Sequence, residues 1–200
     1  MDEDTLAFID RSVRSGFRTR NEIIESVAEY ADEAVLDQMD VIAAVDAMIE
    51  EHRLEASTWP AETDNDRLDR AFAQLDASGV IARQDFACCQ SCGQAEIWDE
   101  VDEPAAWRGY VFFHQQDTER AVEGDGLYLG FGTSKHGIKT SILGLLRPRA
   151  RPASPSGADE AIGREIVAAL AASGLRARWD GSVATRILVE PFHWRRRSPG

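Results

Sequence analysis

Apolar residues recur at helical spacing through the first third of the chain. Leu6, Ile9 and Val13 lie on one face of a helix predicted over 4–15, and Gly16 offers a stop. Thr19 followed by Glu22 has the form of a capping box, in which each residue satisfies an unpaired backbone N–H at a helix start. The helix that follows carries Ile23, Val27 and Tyr30 or Ala31 on one side, and Val35, Met39, Ile42 and Ile49 predict a third helix ending near His52. Residues 57–64 hold a proline and break the period, which places a boundary there. Leu68, Phe72 and Leu75 then mark a fourth helix that Gly79 ends.

Beyond Gly79 the pattern changes period. Val80 to Phe86 alternates as a strand, and the runs 109–114 and 126–131 are aromatic and branched, the strongest β signal in the chain. Asp117 between them is placed to cap a short helix through Glu123. Residues 147–157 contain three prolines without apolar periodicity and read as a mobile loop. Ile162, Ile166 and Leu170 give a further helix. Strands at 175–179 and 184–190 around Asp180-Gly181 complete a terminal hairpin. The expected fold is therefore α+β: an N-terminal helical subdomain followed by a small mixed β-sheet with packed helices. The expected divisions are an acidic helical subdomain at 1–56, an α+β domain at 65–192 and a basic tail at 193–200.

Charge sharpens this division. Residues 1–66 carry 18 acidic and 5 basic side chains, which accounts for the whole net charge of −13, while the remainder carries 17 of each. Phosphate backbones require a positive field, so nucleic acid is not an expected partner. The acidic helical region is instead a candidate surface for a protein partner. No apolar run reaches the length of a membrane span, and the N-terminus lacks the basic and apolar segments of a signal peptide, so a soluble cytoplasmic protein is expected. The basic run Trp194-Arg-Arg-Arg197 reads as a solvated tail lying against the acidic third.

Candidate chemistry is concentrated in two places. Cys88, Cys89 and Cys92 are the only cysteines of the chain, too odd in number and too crowded for a disulfide framework. Cysteine is among the most buried residue types, so the first reading is three small apolar fillers under a sheet. Against that, Cys89-x-x-Cys92-Gly93 has the spacing of half a zinc knuckle; Cys88, His114 or His136 would have to complete the ligand set. The metal set favoured by the sequence is Cys89, Cys92 and His114, with zinc as the ion. A third reading is thiol chemistry at the start of a helix, opposed by the acidic residues Glu96, Asp99, Glu100, Asp102 and Glu103.

The second place is His114, at a strand end before a helix, with Asp117 close enough in sequence to orient its ring. If the strands ending near 86 and 114 run parallel through a right-handed crossover, Cys88, Cys89, Cys92, His114 and Asp117 all meet at one sheet edge. No nucleophile elbow, dinucleotide fingerprint or P-loop occurs. The functional expectation is a non-catalytic binding or regulatory module. The alternatives are a zinc-binding protein using the cysteine cluster and a small thiol-dependent enzyme with a Cys/His site.

The segments 88–97 (Cys-Cys-Gln-Ser-Cys-Gly-Gln-Ala-Glu-Ile), 109–119 (Gly-Tyr-Val-Phe-Phe-His-Gln-Gln-Asp-Thr-Glu) and 126–129 (Gly-Leu-Tyr-Leu) are one part of a wider likeness; Gly174-Leu175, Trp179-Asp-Gly181 and Arg186-Ile187 are the other. Together they resemble a mainly actinobacterial family of domains of unknown function. The likeness spans most of the chain and implies fold boundaries only, with no activity, cofactor or site residue to carry over.

Overall fold

The computed structural model describes residues 1–30, 37–103, 106–133 and 157–199. Helices α1 (Glu3–Ser15), α2 (Arg20–Tyr30) and α3 (Gln38–Ala56) form the N-terminal bundle. The start of α1 is fixed by Asp2, whose carboxylate accepts the Thr5 N–H at 2.7 Å. The anticipated box between Thr19 and Glu22 is present, with the Thr19 N–H donating to Glu22 Oε2 at 2.7 Å. Ile9, Val13, Ile23, Val27, Val41 and Val45 close a core of their own.

The buried face of α3 differs from the expectation. Met39 is 70% exposed, and the residues turned inward are Val41, Val45 and His52, while Val35 lies outside the described residues. The helix is apolar over too wide an arc for periodicity alone to choose a side, and packing against α1 and α2 makes the choice. Leu6 is also largely outside the bundle core.

Helix α4 (Asp64–Ala77) buries the expected stripe of Leu68, Phe72 and Leu75. Its start carries a capping box that the sequence reading missed, formed by Thr63 and Asp66. Beyond it, strands β1 (Val80–Arg83), β2 (Gly109–Phe112), β3 (Leu127–Thr133), β4 (Ala177–Arg178) and β5 (Ile187–Val189) assemble in the order β1-β2-β3-β5-β4. The β1–β2 pair is parallel, with Val80 opposite Gly109 and Arg83 opposite Phe112. All other pairs are antiparallel, so the sheet is mixed and the expected hairpin of β4 and β5 is present. The strand predicted to reach Phe86 ends at Arg83, and the proline-rich stretch 147–157 lies almost wholly outside the described residues.

The pleat sends alternate side chains to opposite sheet faces. Val80, Val111, Leu127, Leu129, Ile187 and Val189 face α4 and α7 (Ala158–Ala172) and form the main core with Ile162, Ile166 and Leu170. Ile81, Tyr110 and Phe112 face the other way and are covered by α5 (Gln90–Glu96) and the 3-10 turn Ile97–Glu100 that follows it. Fully burying one such aliphatic or aromatic side chain contributes ~1.5–3 kcal/mol, so each face supplies stability well beyond that of any single surface ion pair.

The basic run at the C-terminal end lies against the acidic third, as expected, but Trp194 and Arg196 are packed and not simply solvated. Trp194 donates its indole N–H to Arg14 O at 3.0 Å and packs against Phe17 and Phe113. The Arg196 guanidinium donates to Asp69 at 2.6 Å and lies 4.4 Å from the Phe17 ring, with a side chain only 14% exposed. Arg197 pairs with Asp66, and Ser198 contacts His52. These residues therefore join α1 to α4 and to the end of β2. Removing an aromatic side chain at such a junction costs about 3 kcal/mol or more. Trp194→Ala is expected to lower the urea midpoint by an amount corresponding to that loss, measured by tryptophan-independent circular dichroism. An unchanged midpoint would mean that these contacts carry no stability.

Candidate functional site

The cysteines sit on the link that leaves β1. Past Arg83 the chain stays close to the end of β2: the Phe86 N–H donates to Phe113 O at 2.9 Å, and the Gln115 N–H to Ala87 O at 3.2 Å. Asp85 and Ala87 hold positive φ values of 50° and 60°, a conformation that costs of order 1 kcal/mol for a residue with a side chain. Asp85 is held there by the Thr118 hydroxyl, which donates to its carboxylate at 2.6 Å. Burial raises the pKa of Asp85 above its ordinary value, with the Thr118 hydrogen bond opposing the shift.

The kinked segment delivers Cys89 to the N-cap of α5, in extended backbone at φ −155°, with Cys92 one turn along. Two close approaches fix this short helix on the sheet. A Cβ on Gly93 would stand 2.4 Å from the Phe112 ring, so only glycine lets α5 settle at that depth. A Cβ on Gly130 of β3 would stand 2.6 Å from the Gln90 amide, which fills the notch the missing side chain leaves.

The result is a group of three convergent thiols. The Sγ atoms of Cys88, Cys89 and Cys92 all lie within 4.8 Å of one another, and the Cys88 thiol donates to Cys92 Sγ at 3.5 Å. Cys88 is exposed and the other two are half-buried, which overturns the reading of the three as apolar fillers under the sheet. The adjacent residues Cys88 and Cys89 both reach the cluster, Cys89 from extended backbone at the helix cap.

Hydrogen-bond donors decide the charge of the group. The Cys92 backbone N–H, then the Ser91 hydroxyl and the Cys92 and Cys88 thiols, bring the Cys89 pKa down to about 6. The Cys92 thiol is pushed up to about 12, because it shares hydrogen bonds with Cys88 and Cys89 and its own charge would crowd theirs in the cluster. The acidic residues at 96–103 were expected to oppose a thiolate here, but the donors at the helix start outweigh them at Cys89.

His114 caps α6 (Gln115–Glu123) and is 5% exposed. Its backbone N–H donates to Asp117 Oδ2 at 3.2 Å, and its Nε2 lies 3.1 Å from the same oxygen. Asp117, 1% exposed, occupies the third helical position and not the cap itself, as the sequence reading had it. Its carboxylate receives both terminal nitrogens of Arg186, Oδ1 at 2.8 Å, and Arg186 donates further to Tyr128 O at 2.8 Å. Burial lowers the His114 pKa, Arg186 and Arg120 acting in the same direction and Asp117 against it. Burial thus favours the neutral ring, whose Nε2 faces Asp117 Oδ2. Its Nδ1 has no hydrogen-bond partner among the described residues. Arg186 was not singled out as a site residue by the sequence reading, because its partners stand 58 and 69 positions away.

Parallel pairing of β1 and β2 brings the cysteine link and His114 to the same sheet edge, as the crossover argument required. At that edge the residues form two groups. The sulfurs gather with one another, and the His114 ring faces Asp117, which Arg186 also holds; it is not among the ligand atoms that cluster with the thiols. His136, also considered as a ligand, lies outside the described residues.

Fold and site together define an α+β protein bearing a three-thiol centre on the surface link between two parallel strands. Residues 1–198 match the family described as a domain of unknown function, DUF6891, and the chain belongs to that family. No curated protein and no solved structure matches it.

Two expectations follow from this geometry. Cys89 is a thiolate above about pH 6 and becomes protonated as the pH falls through that value. Its alkylation by iodoacetamide, followed residue by residue by mass spectrometry, should therefore reach half its plateau rate near pH 6, with Cys92 the slowest of the three at neutral pH. Asp117→Asn leaves the Arg186 charge without its carboxylate in a buried setting, a loss of ~3–5 kcal/mol. Chemical denaturation should register it, whereas a surface pair would yield under 1 kcal/mol or so.

Proposed function

We propose that this chain binds a thiophilic metal ion, zinc in the first instance, through Cys88, Cys89 and Cys92. The observation that carries the reading is the approach of all three Sγ atoms to within 4.8 Å of one another on an accessible surface. Zinc–sulfur bonds of about 2.3 Å in tetrahedral array hold sulfurs roughly 3.8 Å apart. The Cys88–Cys92 contact of 3.5 Å already lies close to that value. The electrostatics favour it as well: a dication removes the repulsion that keeps Cys92 protonated, so binding releases protons from the cluster. Cys88 takes the position that the sequence reading had given to His114. Three protein ligands leave a fourth position for water or an exogenous donor, the arrangement of an exchangeable or reactive site more than of a closed structural one.

The N-terminal helices favour a second role alongside the first. With the start of α4 they hold the whole excess of negative charge, within residues 1–66. They also expose Met39, Tyr30 and Leu54, at 70%, 52% and 57%. A basic protein partner docking there would make the chain a binding module as well. No described helix is long and apolar enough to cross a membrane, and three free thiols suit a reducing, cytoplasmic setting.

Elemental analysis of reduced, tag-free protein should find one zinc per chain. Cobalt substitution should give the sulfur-to-metal charge-transfer band of thiolate ligation. Cys88→Ser, Cys89→Ser and Cys92→Ser should each abolish stoichiometric retention, whereas His114→Gln should keep it. Metal-free wild-type protein that takes up neither ion in titration would refute the reading.

A further inference from the structure

A second polar site, lined by none of the cysteines, occupies the cleft where α1 packs against α6. We propose that this cleft binds inorganic phosphate, held by Arg11, Arg18 and Ser12 and recognised by Asp85 through the hydroxyl that the anion retains. Arg11, Ser12, Ser15 and Arg18 line one wall, and Asp85 and Thr118 stand opposite. The site is separate from the metal reading and does not rest on it.

Charge pairing singles out the two arginines. Residues 1–66 hold five basic side chains against 18 acidic ones, so carboxylate partners are abundant. Arg14 pairs with Asp10 and Glu55, Arg20 with Asp46, and Arg53 with Glu50. Arg11 and Arg18 make no ion pair among the described residues, although both are half-buried, and both line the same cleft. Ser12 adds a further donor. It is 7% exposed, and its hydroxyl has no hydrogen-bond partner among the described residues. A buried hydroxyl left unbonded costs free energy that a ligand oxygen would recover. Guanidinium and hydroxyl groups together suit an oxyanion. The first turn of the nine-residue helix α6, the positive end of its dipole, meets the same cleft through Gln115 and Thr118.

Size and the carboxylate select the anion. The cleft encloses about 40 Å³, room for a few waters or one small tetrahedral ion and far below the roughly 300 Å³ of a small-molecule pocket. Asp85 Oδ1 accepts the Thr118 hydroxyl at 2.6 Å, and no donor reaches its Oδ2 among the described residues. A carboxylate repels an oxyanion unless a proton lies between them. Inorganic phosphate keeps an O–H at neutral and mildly alkaline pH; it can donate that proton to Asp85 while its other oxygens accept from Arg11, Arg18 and Ser12. Sulfate has no proton to give. An ester phosphate, with a second pKa of about 6, has lost its own by about pH 8. The field of Arg18 already reaches Asp85, and Glu119, the other carboxylate at the cleft, is exposed to solvent.

The test is isothermal titration calorimetry of the full chain at about pH 8, where ester phosphates are fully ionised, with a chelator present so that no metal supplies the anion site. Inorganic phosphate, sulfate and glycerol 2-phosphate are compared at matched ionic strength. Wild type should bind one inorganic phosphate with millimolar or tighter affinity and should leave sulfate and the ester unbound. Arg11→Gln and Arg18→Gln should each weaken binding about tenfold or more, since each removes a charge-assisted hydrogen bond. Asp85→Asn tolerates the same left-handed backbone and should admit sulfate, because the carboxamide supplies a donor where the carboxylate repelled. Wild-type protein that gives no saturable phosphate binding, or that takes sulfate equally well, would overturn the proposal. So would an unchanged phosphate affinity when Arg11 and Arg18 are both replaced by glutamine.

Discussion

The parallel pairing of β1 with β2 is the constraint on which the site depends. Parallel neighbours cannot be joined by a tight turn, so the chain must leave the sheet after Arg83 and cross back before Gly109. That crossover is where the cysteines are. It is held down before α5 and along it: Phe86 and Ala87 hydrogen-bond the residues following β2, and Gly93 lets the helix rest on Phe112. The apolar cluster of Ile81, Tyr110, Phe112 and Ile97 beneath it makes the crossover part of the folded core and not a loose excursion. Sulfur convergence is a by-product of this packing, since the N-cap conformation of Cys89 follows from where the helix is allowed to begin.

The same edge holds a second polar arrangement of different character. His114 at the cap of α6, Asp117 within it and Arg186 just before β5 make a largely buried, multiply bonded group. A buried ion pair of this kind specifies geometry more than it adds net stability, because desolvation consumes much of the Coulombic gain. Its effect is to fix α6 against the sheet and so to fix the residues, Gln115 and Thr118, that grip the cysteine link from the other side. The rigid inner group supports the accessible outer one.

Much of the fold was legible in the sequence wherever one local pattern sufficed. The stripes of α4 and α7, the box at Thr19 and Glu22, the aromatic strands β2 and β3, and the terminal hairpin all follow from spacing of a few residues. The α+β class and the cysteine cluster were readable for the same reason. What escaped depended on distant partners. The inward face of α3 was chosen by α1 and α2 from a helix apolar on several sides. The arginines near residue 196 look solvent-bound until Asp69 and Phe17 are known to be adjacent. Arg186 had no local sign of its role, and the burial expected of cysteine gave way to the exposure imposed by the crossover.

The seating of Gln90 over Gly130 has a mechanical consequence. The residue directly following Cys89 is wedged into the third strand of the sheet, so the helix cannot pivot without withdrawing or dragging that carboxamide. Its Oε1 is buried with no hydrogen-bond partner among the described residues, and the wedge is consequently held by shape with little polar attachment to oppose its release. Strain arising at the sulfurs would be conveyed to the middle of the sheet through a single side chain, and a bulkier residue at 130 would disconnect the two.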